Sequence, residues 1–130
     1  MDAFYEIALE YDSYNRRQLR IDTSGPVNAD GTMLYRINAL GRLSNAQLEN
    51  VTDNRLNINS SITWRPNART RLTVSATYMI DDMGSAVSYG PMVGMVTPSR
   101  FGRISRNLLT GDPAFDGYRK QEVATGYRFE

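Results

Sequence analysis

Apolar and polar residues alternate along most of this chain with a period of two. The longest run opens Leu56-Asn57-Ile58-Asn59-Ser60-Ser61-Ile62-Thr63-Trp64 and returns as Arg71-Leu72-Thr73-Val74-Ser75-Ala76-Thr77-Tyr78-Met79-Ile80. Side chains two apart in a strand share a face, so this pattern predicts two antiparallel strands, 55–64 and 71–80, joined by a turn over Arg65 to Thr70. One face carries Leu56, Ile58, Ile62, Trp64, Leu72, Val74, Tyr78 and Ile80; the other carries Asn, Ser and Thr. The same reading predicts strands near 4–12, 16–24, 33–43 and 120–130. Ser13-Tyr14-Asn15 and the Pro- and Asp-Gly-containing stretch Gly25 to Gly31 supply turns. Ser44 to Asn54 reads as a polar loop. Residues 81–118 hold Pro91, Pro98, Pro113 and six glycines without a sustained period, and predict one long loop.

The pattern therefore gives an all-β chain of about six antiparallel, up-and-down strands. Short turns follow the second and fourth strands and longer loops follow the third and fifth, an arrangement found in outer-membrane barrels. Tyr5, Tyr11, Tyr35, Trp64, Tyr78, Tyr127 and Phe129 tend to fall at the ends of the apolar stripes, as an interfacial aromatic girdle would. Aromatic residues capping the core of a soluble sandwich produce the same pattern. Glu6, Glu10, Arg20, Asp22, Arg36, Arg42, Glu122 and Arg128 share the polar face, which suits a lumen or a solvated exterior equally. Alternation alone leaves lipid and protein core both open.

Composition narrows the chemistry. The 130 residues suffice for one domain, and 15 Lys and Arg against 14 Asp and Glu leave no basic field for nucleic acid. Histidine and cysteine are both absent. That removes Ser-His-Asp catalysis, thiolate metal sites, disulfides and the usual zinc ligands. No apolar run approaches the roughly 20 residues of a helical span, which says nothing against strands. The start Met1-Asp2-Ala3-Phe4 has no basic region and no apolar h-region. The expectation is either a soluble product or a piece of a longer protein.

A family resemblance enters at Ser13-Tyr14-Asn15-Arg16-Arg17 and at Asp22 through Ile37. It continues at Ile62-Thr63-Trp64-Arg65-Pro66, Gly102-Arg103-Ile104-Ser105-Arg106 and Gly111-Asp112-Pro113-Ala114-Phe115-Asp116. In this order and spacing the series resembles the first barrel strands of TonB-dependent siderophore receptors, particularly the ferrichrome and hydroxamate type. Asp12 stands where the family commonly has glycine, and Ser105 where it has proline. The resemblance implies a transmembrane outer-membrane β-barrel, incomplete here because six strands close no barrel and even small ones use about eight. It implies that the family's plug domain is missing, and that Arg128-Phe129-Glu130 falls within a strand rather than at the family's C-terminal signal.

By the same resemblance the chain is a segment of a receptor for ferric siderophores, located in the cell outer membrane and performing no covalent chemistry. The implied partners are the ferric siderophore as transported ligand, the TonB complex acting through the missing plug, and outer-membrane lipid and lipopolysaccharide. No resident cofactor, metal or catalytic residue is expected. Candidate ligand-binding residues lie in the long loop: Tyr89, where the family places a pocket aromatic, and Phe101 with Arg100 and Arg103. Aromatic faces and a few cations suit a compact anionic chelate. The competing reading gives Tyr89 a packing role and leaves these arginines, with Arg106, as scattered solvated charge. Met92, Val93, Met95 and Val96 read as an internal loop anchor, and Asp112 with Asp116 as turn chemistry, since the EF-hand spacing is absent. The alternatives are a soluble all-β ligand-binding domain, or a truncated product without activity whose exposed edges would aggregate.

Overall fold

A computed structural model of the chain describes residues 2–84 and 90–130. Six strands form one antiparallel sheet in sequence order: β1 (Phe4–Asp12), β2 (Arg16–Pro26), β3 (Met33–Leu43), β4 (Asp53–Asn67), β5 (Thr70–Gly84) and β6 (Gly117–Phe129). Consecutive strands pair throughout, so the topology is a meander. The strands reach further than the alternation predicts. β4 gains residues at both ends, β5 runs on to Gly84, and β6 starts at Gly117. The expected turn over Arg65 to Thr70 shrinks to Ala68-Arg69, because Arg65 to Asn67 stay in β4 through a register shift after Trp64. Pro66 is tolerated there because a bulge asks less of the backbone N–H. The long loop is correspondingly shorter than 81–118, lying between Gly84 and Gly117.

The register puts one apolar row above another. Ile7, Ile21, Ala39, Ile58, Tyr78 and Val123 form one row across all six strands, and Leu9, Leu19, Gly41, Leu56 and Ile80 the next. No second layer covers this face. Leu9 is 82% exposed, Ile7 70% and Val123 69%, and among the described residues the buried hydrophobic side chains are only Leu34 and Val51. A soluble core is thus not what this face builds within the chain. Each exposed Leu, Ile or Val gains about 1.5–3 kcal/mol when fully withdrawn from water, which makes a bare face of this size a demand for lipid or protein. No helix among the described residues is long and apolar enough to cross a membrane.

The aromatic residues on this face cross the rows obliquely. Tyr5 on β1 shares the row of Ile37, Tyr35 on β3 lies one row lower, and Trp64 on β4 one row lower still, facing Met33. Four residue steps over three strand spacings are about 13 Å against about 14 Å, a slant of about 40°. Tyr11 on β1 and Tyr78 on β5 define a second line with the same sense and about 35° of slant. Strands tilted 35–45° from a barrel axis turn two level girdles into this pair of oblique lines. On β6, Tyr127 and Phe129 instead keep to the rows of Tyr35 and Trp64.

Candidate functional site

The opposite face is polar and hydrogen-bonded along its length. Toward the loop end it carries the row Glu10, Gln18, Arg42, Arg55, Asp81 and Lys120. Glu10 takes hydrogen bonds from Gln18 Nε2 and Arg20, while Arg42 reaches Asp53 Oδ1 and Lys120 reaches Glu122 at 2.7 Å. Arg55 binds Asp81 through both Nε and Nη2, and Asp81 is only 5% exposed. Two and three rows further in, Asp22 and Arg36 meet, with Arg36 gripping both carboxylate oxygens of Asp22 at 2.9 and 3.2 Å. Arg20 and Asp22 also line a shallow hollow of about 330 Å³ together with Glu6, Asn38, Asn57 and Asn59 among others. A hollow on the polar side is what a sheet curved toward that side would produce, as in a barrel lumen.

The connections at the Glu10–Lys120 end are tied to one another. The β1–β2 turn holds both Tyr14 and Asn15 at positive φ, the geometry of a type I′ hairpin turn. Tyr14 O accepts from Asn45 N, linking this turn to the β3–β4 connection. Within that connection Ala46 N donates to Val51 O, and Val51 is 3% exposed. Val51 packs over Gly84, where a Cβ would stand 2.9 Å from Val51 Cγ1, so glycine is what lets the β3–β4 connection close over the end of β5. Glu49 N donates to Asn107 O, tying the β3–β4 connection to the long loop.

The long loop contains local order that the sequence pattern does not signal. Met92–Met95 forms one irregular helical turn, and Gly94 N bonds Thr97 O while Ile104 N bonds Gly94 O. Ser99 and Gly102 exchange backbone hydrogen bonds in both directions, making a tight hairpin with Arg100 and Phe101 at its tip. The Arg100 guanidinium sits 4.5 Å from the Phe101 ring centroid, and Phe101 is 84% exposed. Arg103 follows immediately and is exposed. Phe101, Arg100 and Arg103 are therefore brought to one exposed tip, with one Phe101 face already covered by Arg100. Tyr89 lies outside the described residues. Asp112 and Asp116 cap a turn of their own backbone, with Asp112 N donating to Asp116 Oδ2 and Ala114 N to Asp112 Oδ1. Among the described residues no group of three or more His, Cys, Asp or Glu could hold a metal.

These features define a class of structure, a stretch of outer-membrane β-barrel wall with its loops gathered at one end. Two solved structures share the fold. The FpvAI–pyocin S2 complex matches 96% of this chain and 16% of that chain, with a TM-score of 0.82 at 16% identity. P. aeruginosa FpvA bound to a heterologous pyoverdine with iron matches 95% and 16%, with a TM-score of 0.76 at 19% identity. No protein-family model matches the chain. The more particular likeness is in sequence. The chain is 30% identical over 129 residues to the ferrioxamine B receptor of Salmonella typhimurium (strain SL1344), covering 99% of this chain and 18% of the relative. It is 26% identical over 113 residues to the ferrichrome outer membrane transporter/phage receptor of Escherichia coli (strain K12), covering 87% and 15%. The chain thus resembles siderophore receptors in sequence and shares the barrel-wall fold of the FpvA structures, over less than a fifth of the length of these curated relatives.

Proposed function

We propose that the protein forms part of the barrel wall of an outer-membrane receptor for TonB-dependent uptake of ferric siderophores. The observation that carries this reading is the uncovered apolar face crossed by two slanted aromatic lines and backed by a polar, ion-paired one. The Trp64 end then faces the periplasm, and the Glu10–Lys120 end with its tied loops faces outward. In this reading the chain's role is support and display. Strands β3 to β6 hold the long loop, and the Ser99–Gly102 hairpin presents Phe101, Arg100 and Arg103 toward an iron chelate. The guanidiniums attract an anionic chelate, and the open Phe101 face meets its apolar surface. Translocation belongs to the assembled receptor, through its plug and TonB; the siderophore is cargo and no resident cofactor or covalent step is involved. Both curated relatives carry names of receptors or transporters, which supports a non-enzymatic role.

A chimera tests the proposal. The matching stretch of the Salmonella ferrioxamine B receptor is replaced by this chain, and uptake of iron-labelled ferrioxamine B is measured in cells lacking their own receptor. Retained uptake that falls when Arg100, Phe101 and Arg103 are changed together to alanine is the expected result. A chimera that reaches the outer membrane yet transports as well with the three alanines removes these residues from the site.

A further inference from the structure

The long loop is held together by its own backbone. Gly94 N bonds Thr97 O, Ile104 N bonds Gly94 O, and Leu108 N bonds Ser105 O. Ile104 is seated on the buried Gly94, where a Cβ would stand 2.9 Å from Ile104 Cδ1. The Ser99–Gly102 hairpin hangs on this frame between Thr97 and Ile104, so Arg100 and Phe101 take their position from it. Such a bonded unit still needs a fixed place against the sheet. The β3–β4 connection supplies one. Asp53 N donates to Ser44 O and Ala46 N to Val51 O, which makes the connection a narrow arm. Gly84 N donates to Thr52 O, and Val51 packs over Gly84, so the arm is anchored on β5.

At the tip of the arm Val51 N donates to Leu48 O, closing a four-residue turn with Asn50 at φ 62. Asparagine is one of the few residues that accept this left-handed geometry readily. The turn's own bond does not use Glu49 N, which donates instead to Asn107 O at 2.8 Å. This tie joins two backbones and asks nothing of either side chain. We propose that the β3–β4 connection is the positioning element of the ligand site: through Glu49 N it holds the long loop where Arg100, Phe101 and Arg103 receive a ferric chelate. The inference rests on the reading above that these three residues meet the chelate. A loop already held in its binding geometry loses less freedom on binding, and apparent affinity scales with the fraction of molecules in that geometry. Glu49 and Asn107 are both exposed, and an exposed backbone hydrogen bond changes such an equilibrium by about two- to fivefold.

Glu49→Pro and Glu49→Ala form a matched pair. Both remove the carboxylate, but only proline removes the N–H, and Glu49 holds the second position of the turn, where proline is favoured. In the chimera described above, binding of iron-labelled ferrioxamine B to de-energised cells should weaken about two- to fivefold for Glu49→Pro and stay at the parental value for Glu49→Ala. Maximal uptake should be the same for both, since the tie acts on binding. Asn50→Val strains the same turn while keeping the N–H and should weaken binding likewise, whereas Asn50→Gly tolerates φ 62 and should not. This second pair carries the test if proline disturbs the turn. The tie is also read without any ligand. The chain has no cysteine, so nitroxides at Arg17→Cys on β2 and Arg106→Cys on the loop report the spacing of sheet and loop in the full chain in phosphatidylcholine vesicles. Glu49→Pro should broaden their distance distribution and Glu49→Ala should not; an unchanged distribution for Glu49→Pro overturns the positioning, whatever the loop binds. Binding that ignores Glu49→Pro and Asn50→Val but falls with the three alanines overturns the inference and leaves the functional reading standing. Binding that ignores the alanines as well overturns both.

Discussion

Ala76 offers a test in which lipid and protein core predict opposite signs. It lies on the apolar face, facing Ser60 on β4 and Thr125 on β6, and its surroundings are open. Ala76→Leu adds three carbons. If the face meets hydrocarbon, those carbons find fluid chains that rearrange around them, and at about 0.8 kcal/mol per CH₂ the folded state gains up to about 2 kcal/mol. If another part of a protein packs on this face, the same carbons must be forced into filled space, at a cost of about 1–3 kcal/mol. Ala124 is the internal control. It sits on the polar face beside Thr77, so Ala124→Leu should leave stability within about 0.5 kcal/mol of the parent. Urea unfolding from phosphatidylcholine vesicles, followed by Trp64 fluorescence, measures both. Destabilisation by Ala76→Leu, or an equal gain from Ala124→Leu, would refute the assignment of faces.

Two further substitutions probe how the loop end is held. Asp81→Ala removes the carboxylate that binds Arg55 twice and leaves that guanidinium partly buried, so a loss of about 1–3 kcal/mol is expected in the same urea titration, with Asp81→Asn recovering part of it. A cost below about 0.5 kcal/mol would mean the pair is solvated and contributes little. Gly84→Val drives a side chain into Val51 and should lift the β3–β4 connection off β5. Hydrogen exchange reads this at Ala46 N and Glu49 N, which donate to Val51 and Asn107; unchanged protection at both would show that Gly84 is not what seats the connection.

The strands and their faces were legible because pairing rewards the same alternation on every strand. Leu56 to Trp64 and Leu72 to Ile80 announce their neighbours residue by residue, and the observed register follows that pattern. The strand ends were not legible, for a physical reason. Beyond Leu56 and Ile80 the apolar face carries Asn54, Asp82 and Arg119, so both faces become polar and the period vanishes while the hydrogen-bond ladder continues. The Arg42–Asp53 and Arg55–Asp81 pairs belong to these extensions, and were missed with them. In the long loop the sequence marked residue types but not their meeting: the Ser99–Gly102 hairpin that brings Arg100 over Phe101 is closed by backbone bonds, which leave no period to read.

The identity of the apolar face is the remaining step, and alternation could not take it. Lipid and core both select Leu, Ile and Val at every second position, so the stripes read alike in either. What separates them is geometry across strands. A packed core clusters its aromatics where a second layer needs volume, whereas a bilayer sorts them by depth, and depth runs obliquely across tilted strands. Tyr5, Tyr35 and Trp64 descend one row at a time from β1 to β4, and Tyr11 and Tyr78 repeat the slope. That slope exists only once the register is known. It argues for a membrane on grounds independent of any relative's name.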